Sequence, residues 1–213
     1  MFRGFLFLVV LLFVSGCSVS SLKVNETYPG SVAISTSEFD DLTEVRLKPA
    51  YVYSGASSSE ASGLKVGARW SNRSDKPYKI VMQLLSPSWF DRGGVLRLKV
   101  DGVESSLLPV DSLSLGEPAR EVIRYENEYA VSHSNNPVVR KEYFVGRDVL
   151  LSIIEAKEVL GRVTTTQGFI DFSLRSSVES YASPIVQPQL FVIALESFLE
   201  NIDGFNSQAS MSQ

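Results

Sequence analysis

The sequence predicts a mainly β fold, either an antiparallel β-sandwich or a curled sheet, with two amphipathic helices late in the chain. Apolar and polar residues alternate in most segments between residues 43 and 145, a period typical of half-buried strands. The spacing changes to a helical period only at about 148–160 and 189–202. Strands and helices do not alternate along the chain, which disfavours a parallel doubly wound sheet.

The first strands follow from this alternation. Thr43–Lys48 is expected at a sheet edge, because Pro49 follows it and proline cannot donate to a ladder of hydrogen bonds. Leu64–Ser71 alternates cleanly and is predicted to be half buried. Tyr78–Leu85 has apolar residues on both faces, which indicates a central strand or one covered by a helix. Further strands are predicted at Ala119–Val131 and Pro137–Val145.

Two hairpins bring the total to about eight strands. Val95–Leu108 contains Asp101-Gly102 between two alternating runs, and this pair suits a type I′ turn, in which both central residues have positive φ. Arg162–Leu174 is predicted to turn near Gln167-Gly168.

The two helices carry their own end signals. Asp148 is predicted to cap the first helix, and Gly161 to end it. The second helix has an apolar stripe that is expected to cover a sheet face and to end at Asp203-Gly204. The alternative, a partner-binding or membrane-surface helix, is disfavoured because this helix has acidic residues and no Lys or Arg.

The N-terminus has the composition of an export signal. Arg3 supplies a positive charge, Phe5–Val14 is an apolar run of ten residues, and small residues follow. This order is typical of a secretory signal peptide. The run is shorter than the roughly 20 apolar residues of a transmembrane helix.

Val14-Ser15-Gly16-Cys17 resembles the lipobox of bacterial lipoproteins at all four positions. The resemblance implies removal of residues 1–16 and acylation of Cys17; two or three acyl chains hold a protein on a membrane more durably than one. In Gram-negative lipoproteins an Asp after the cysteine commonly retains the protein in the inner membrane. Ser18 stands there in this chain, which implies an outer-membrane anchor with the domain facing the periplasm. The alternative is an unpaired cysteine in a secreted protein.

The remaining chain divides into three parts by composition. Residues 17–37 are rich in Ser and Thr and are predicted to form a lipidated tether; an ordered arm that pairs with the sheet is the alternative. Residues 38–204 are predicted to form a single β-rich domain, and residues 205–213 a disordered tail.

Charge excludes some partners. The chain has 20 basic and 24 acidic residues, and a mildly acidic chain lacks the basic footprint of a nucleic-acid-binding protein. No run of Lys and Arg follows Cys17 to attract anionic lipid. The expected partners are therefore the membrane, through the lipid anchor, and an envelope protein.

Catalytic motifs are missing from the sequence. One histidine, His133 in a predicted loop, and one cysteine cannot supply a zinc site, and no nucleophile elbow, phosphate loop or metalloprotease motif is present. We therefore expect no enzymatic activity, metal or cofactor. A carboxylate pair among Glu121, Glu126 and Glu128 could still act as in glycosidases, although pairing with Arg124 on a solvated face is favoured.

One loop combines residues that are common at binding hot spots. Ser86–Gly94 contains Trp89, Phe90 and Arg92, and aromatic residues and arginine dominate such hot spots. The alternative is that Trp89 and Phe90 plug the end of the sandwich.

These observations lead to one functional hypothesis with two alternatives. The sequence favours a membrane-anchored envelope lipoprotein with a non-enzymatic binding or scaffolding role, acting through a sheet face, a sheet edge or the aromatic loop. The alternatives are an envelope hydrolase that uses carboxylates and a carrier of a hydrophobic ligand, which needs an interior cavity.

Overall fold

A computed structural model describes residues 30–37, 39–52, 64–85, 90–115, 120–125, 128–133, 138–175 and 188–211. The chain is mainly β, with two antiparallel sheets, a separate hairpin and two helices, which confirms the predicted fold class. The elements, in chain order, are β1 (Val32–Ser37), β2 (Leu42–Tyr51), β3 (Leu64–Ser71), β4 (Tyr78–Leu85), β5 (Leu96–Val100), β6 (Val103–Leu107), β7 (Pro109–Leu115), β8 (Arg120–Tyr125), β9 (Glu128–His133), β10 (Val138–Phe144), α1 (Arg147–Glu155), β11 (Val159–Thr165), β12 (Gly168–Arg175) and α2 (Pro188–Met211).

The larger sheet has six strands in the order β1-β2-β3-β4-β10-β7, and the smaller has four in the order β12-β11-β5-β6. Both predicted hairpins are confirmed, β5–β6 and β11–β12. Asp101 and Gly102 both have positive φ, 44° and 89°, as the type I′ turn requires. β4 lies between β3 and β10, so its prediction as a central strand is confirmed.

One hydrophobic core joins both sheets and the helices. Alternate residues of the larger sheet point inward, as Leu64, Val66 and Ala68 do on β3. The smaller sheet contributes Leu96 and Leu98 in the same way. The core also receives the apolar stripe of α2, whose buried members are Phe191, Val192, Leu195, Phe198, Leu199 and Ile202. The prediction that the C-terminal helix covers a sheet face is thus confirmed.

The predicted ends of both helices are wrong. α1 ends at Glu155, and Gly161 lies inside β11 instead of ending a helix. Residues 159–163 pair with β5 on one side and β12 on the other, and these ladders outweigh the local helical pattern. Gly146 occupies the N-cap position predicted for Asp148.

The C-terminal helix continues past the predicted stop at Asp203-Gly204. α2 runs to Met211, so residues 205–211 are helical and only 212–213 of the predicted tail lie outside the described residues. Phe205 packs edge to face on Trp70, with ring centroids 5.7 Å apart. This tertiary contact accounts for a helix that continues through Gly204, since glycine alone costs about 1 kcal/mol relative to alanine.

The predictions for the first ordered residues also need correction. Residues 32–37 form β1 and pair with β2, so the tether does not extend to residue 37; the alternative of an ordered arm is confirmed there. β2 lies between β1 and β3 and is not an edge strand. Pro49 lies where the β2–β3 register shifts between Leu47 and Ala50. The ladder therefore does not need a backbone hydrogen-bond donor at this position.

In addition to β1, two strands of the described chain escaped prediction. β7 begins with Pro109 at its first position, where a strand tolerates proline. The single strand predicted at Ala119–Val131 is two strands, β8 and β9, which form a hairpin. No glycine or proline marks the turn between them.

Candidate binding face

The residues singled out from the sequence are only partly described. Cys17, Ser18 and Trp89 lie outside the described residues. Phe90 is 1% exposed and forms an isolated bridge with Thr165, so Phe90 fills space between the two sheets as the plug alternative expected. Arg92 is exposed.

Lys141 holds the segment that follows Phe90. It is 1% exposed, and its Nζ donates to the carbonyl oxygens of Arg92 (2.9 Å) and Gly94 (3.2 Å), and also to that of Asp91. Burial lowers the pKa of the Lys141 ammonium, although the nearby Asp91 carboxylate opposes this change. Sequence reasoning missed this residue, although its spacing of two from Val139 and Tyr143 could have placed it on the inner face.

Tyr143 lies two residues further on the same face. Its hydroxyl oxygen is buried and has no hydrogen-bond partner, and burial raises the pKa of this phenol. The Lys141 Nζ lies 5.4 Å from its ring centroid. Lys141 thus positions residues 91–94 from within the core.

The outer face of the larger sheet, with the adjoining β3–β4 turn, gathers seven basic side chains. We call this surface the basic face, and it is formed by the outward-facing residues of β2, β3, β4 and β10 and by Lys76 of the β3–β4 turn. Its nine charges sum to +5 in a chain of net charge −4, so the rest of the sequence carries −9. The charged members are Arg46, Lys48, Lys65, Arg69, Lys76, Lys79, Arg140, Glu44 and Glu142.

Strand register explains how the cations meet. Arg46 on β2 pairs with Arg69 on β3, which pairs with Lys79 on β4. Like charges directly opposite one another are destabilising, and two carboxylates offset this repulsion. Glu44 accepts from Arg46 Nε at 2.9 Å and from Arg69, while Glu142 lies 3.1 Å from Arg69 and 3.3 Å from Lys79.

The two carboxylates are acceptors for these cations. Burial alone would raise the pKa of Glu44, but hydrogen bonds from Arg69 and Arg46 outweigh burial and hold that pKa below its usual value. The pKa of Arg69 is raised in turn, since Glu44 and Glu142 outweigh its own burial. A general acid in a glycosidase needs a raised carboxyl pKa. The lowered pKa of Glu44 therefore favours charge pairing over acid catalysis.

The accessible part of the basic face is positive. Lys48, Lys76 and Arg140 are exposed, and 57% of the Arg46 side chain is accessible, against 8% for Glu44. Aromatic rings underlie some of these cations. Lys65 Nζ lies 4.1 Å from the Tyr51 ring centroid, and Lys76 Nζ lies 4.9 Å from that of Phe144.

The β8–β9 register separates the backbone positions of two acidic residues considered for catalysis. Glu121 is opposite Ser132 and Glu128 is opposite Tyr125, so their backbone positions are four residues apart along the ladder, roughly 13 Å. Glu126 lies outside the described residues. His133 is the last residue of β9 and not a loop residue as predicted.

The smaller sheet has an open groove among the described residues. It has a volume of about 440 Å³ and is lined by Arg97, Lys99, Glu104, Arg162 and Asp171, among others. Four of these charges are paired, with Arg162 Nε 2.5 Å from Asp171 and Arg97 4.0 Å from Glu104. This surface therefore has little net charge compared with the basic face.

Comparisons with known proteins assign no family. No protein-family model, no curated protein and no solved structure matches the chain. Within the parts of the chain that the structure covers, no helix is long and apolar enough to cross a membrane. The function must therefore be argued from the basic face and the N-terminal motif.

Proposed function

We propose that the chain is a bacterial envelope lipoprotein, anchored through acylated Cys17, whose role is non-enzymatic binding at the membrane through the basic face. The observation that carries the binding role is the segregation of seven cations onto one sheet face of an acidic chain. A surface of one sign attracts partners of the other and orients their encounter. The partner class that fits is anionic.

The N-terminal motif supports the location. Val14-Ser15-Gly16-Cys17 offers a thiol to a lipidating system after a short apolar leader, and the outer membrane follows from the sorting rule applied to Ser18. The domain would then lie in the periplasm beneath its anchor. The ion-paired state of Glu44 and Glu142 favours binding over acid catalysis, since both serve as acceptors for Arg69.

Site-specific photo-crosslinking in intact cells tests the binding role. A photoreactive residue replaces Lys48 on the basic face or, as the matched control, Lys99 on the outer face of the smaller sheet; both positions are exposed. We expect abundant crosslinked adducts from position 48 and few from position 99.

Charge-neutralising variants show whether the adducts depend on the basic face. Arg46→Gln with Arg140→Gln is expected to reduce the adducts at position 48, whereas Arg92→Gln with Arg97→Gln, which removes the same charge elsewhere, leaves them unchanged. Adducts that form chiefly at position 99, or that ignore both double variants, would contradict the proposal.

A further inference from the structure

We infer that the partner of the basic face is the anionic phospholipid surface of the membrane that carries the anchor, an inference that rests on the proposed function. The larger sheet then lies toward the headgroups, with its cations against lipid phosphates. Four features of the described chain lead to this partner: its entry point, the spread of its cations, its paired aromatic rings and the charge of α2.

The first feature is where the chain enters the sheet. The amide of Gly30 donates to the Lys48 carbonyl at 3.1 Å, and the Lys48 amide donates to the Ser31 carbonyl at 2.9 Å. The described chain therefore begins beside a cation of the basic face. The 14 residues from 18 to 31 span at most about 50 Å when fully extended, so an anchor at Cys17 keeps this edge close to the bilayer.

The second feature is the spread of the accessible cations. Arg46, Lys48, Lys76 and Arg140 come from β2, the β3–β4 turn and β10, across four adjacent strands that cover roughly 15 Å at about 4.8 Å per strand. Cations distributed over the face of a sheet match a plane of anionic headgroups. The two grooves identified on the described chain lie instead at the smaller sheet and at its junction with α1.

The third feature is the placement of aromatic rings among these cations. Tyr51 and Phe144 lie on the same face as Lys65 and Lys76 and pair with them. Amphipathic and aromatic side chains combined with Lys and Arg are characteristic of protein surfaces that rest at the headgroup level.

The fourth feature is the negative charge of α2, which lies on the other side of the larger sheet from the basic face. α2 packs on the inner side of the larger sheet, where Phe205 contacts Trp70, and it exposes Glu196 and Glu200 with no Lys or Arg between Pro188 and Met211. An anionic bilayer attracts the basic face and repels α2. The attraction and the repulsion both favour the orientation in which the basic face lies toward the bilayer.

Lysine acylation on reconstituted protein tests this orientation. The full-length protein, purified with its anchor in detergent, is reconstituted on vesicles of phosphatidylcholine alone or of phosphatidylcholine with phosphatidylglycerol. A water-soluble amine-acylating reagent then labels exposed lysines, and mass spectrometry gives the rate at each site. Lys48 and Lys76 report on the basic face, and Lys99 and Lys157 report on exposed positions elsewhere.

We expect Lys48 and Lys76 to be labelled about fivefold more slowly on phosphatidylglycerol vesicles, the fold-change that corresponds to one cation held near an anionic surface. Lys99 and Lys157 should react equally on both vesicles. In about 1 M salt, where the Debye length is about 3 Å, the difference should disappear. Arg46→Gln with Arg140→Gln should weaken the protection, and Arg92→Gln with Arg97→Gln should not.

Two failures are distinguishable. Protein that floats with both kinds of vesicle but shows equal labelling of Lys48 in each keeps its anchor and overturns the inference. Protein that floats with neither has no functional anchor, which overturns the proposed function as well. Protection that persists in 1 M salt would contradict an electrostatic contact with the membrane.

Discussion

Lys141 holds three backbone carbonyls of the segment between β4 and β5 with one buried ammonium group. A buried charge is tolerated when hydrogen bonds replace its hydration. The side chain therefore fixes the loop that contains Phe90 and Arg92 from inside the core.

Replacing Lys141 by methionine should destabilise the domain by about 1–3 kcal/mol, because the carbonyls of Arg92 and Gly94 lose their donor. Urea denaturation gives the free energy of unfolding, and hydrogen exchange should show faster exchange at the Asp91 and Gly94 amides. Lys99→Met is the exposed control and should change stability by less than about 0.5 kcal/mol. An unchanged stability for Lys141→Met would refute this role.

Tyr143 differs from Lys141 because its buried polar group is not hydrogen-bonded. Its hydroxyl is buried without a partner, so Tyr143→Phe removes a polar atom that gains nothing from folding and keeps the ring in the core. We expect the variant to be as stable as the wild type or more stable by up to about 1 kcal/mol. Thermal denaturation measures this, and a loss of more than about 1 kcal/mol would mean that the hydroxyl has a partner.

Glu44 should make stability depend on pH. Its pKa is lower in the folded chain than its usual value of 4.5, so it contributes stability that is present above that value and is lost as pH falls through the folded pKa. Glu44→Gln should be less stable at pH 7 by about 1–3 kcal/mol, with a shallower loss of stability below pH 5. Urea denaturation between about pH 7 and 3 checks both.

The matched control for Glu44 is Glu104→Gln. The Glu104 side chain is 60% exposed and lies 4.0 Å from Arg97, a pair of the kind that contributes little. This variant should follow the wild-type pH profile. If Glu44→Gln follows it as well, Glu44 is not the source of the pH dependence.

At the scale of the element, β11 and β12 depend on a close approach between a glycine and a ring. Gly161 pairs with Phe172, and a Cβ at position 161 would collide with the Phe172 ring. Position 161 therefore requires glycine, in a strand that pairs with β5 on one side and with β12 on the other.

Gly161→Ala should therefore destabilise the domain by about 1–3 kcal/mol, since the buried ring must move. Gly93→Ala is the control, because no atom lies within 4 Å of its added Cβ. Adding Phe172→Leu to Gly161→Ala should recover part of the loss, which a double-mutant cycle in urea measures. Additive effects of the two substitutions would contradict the contact.

Strand elements with local signals were predictable from sequence. Leu64–Ser71 and Asp101-Gly102 carry their pattern within a few residues, and both were confirmed. The ends of the helices were not predictable, because pairing of β11 with β5 and the contact of Phe205 with Trp70 are tertiary. The same holds for β1, which is polar and is ordered by pairing with β2.

At the scale of the whole molecule, the basic face is a product of topology. Lys65, Lys79 and Arg140 lie in three separate segments of the sequence, so they form no basic run along the chain. Only the strand order places them together on one face. Sequence reasoning established the sign of the total charge and predicted an anchor, but it could not find this segregation.

The segregated charge of the basic face and the proposed lipid tether would both favour binding at the membrane. The proposed anchor would confine the domain near the bilayer, where attraction over a Debye length of about 8 Å can orient it, and each Lys or Arg near an anionic surface contributes about 1 kcal/mol. The basic face can bind the bilayer in this way only if the chain is held close to it. The proposed binding at the membrane therefore depends most on the thiol of Cys17.

The intact mass of the native protein, purified from membranes, tests that dependence directly. We predict a polypeptide that begins at Cys17 and exceeds the mass of residues 17–213 by a diacylglyceryl group and an N-linked acyl chain. A polypeptide that retains residues 1–16, or one with an unmodified N-terminus at another position, would contradict it.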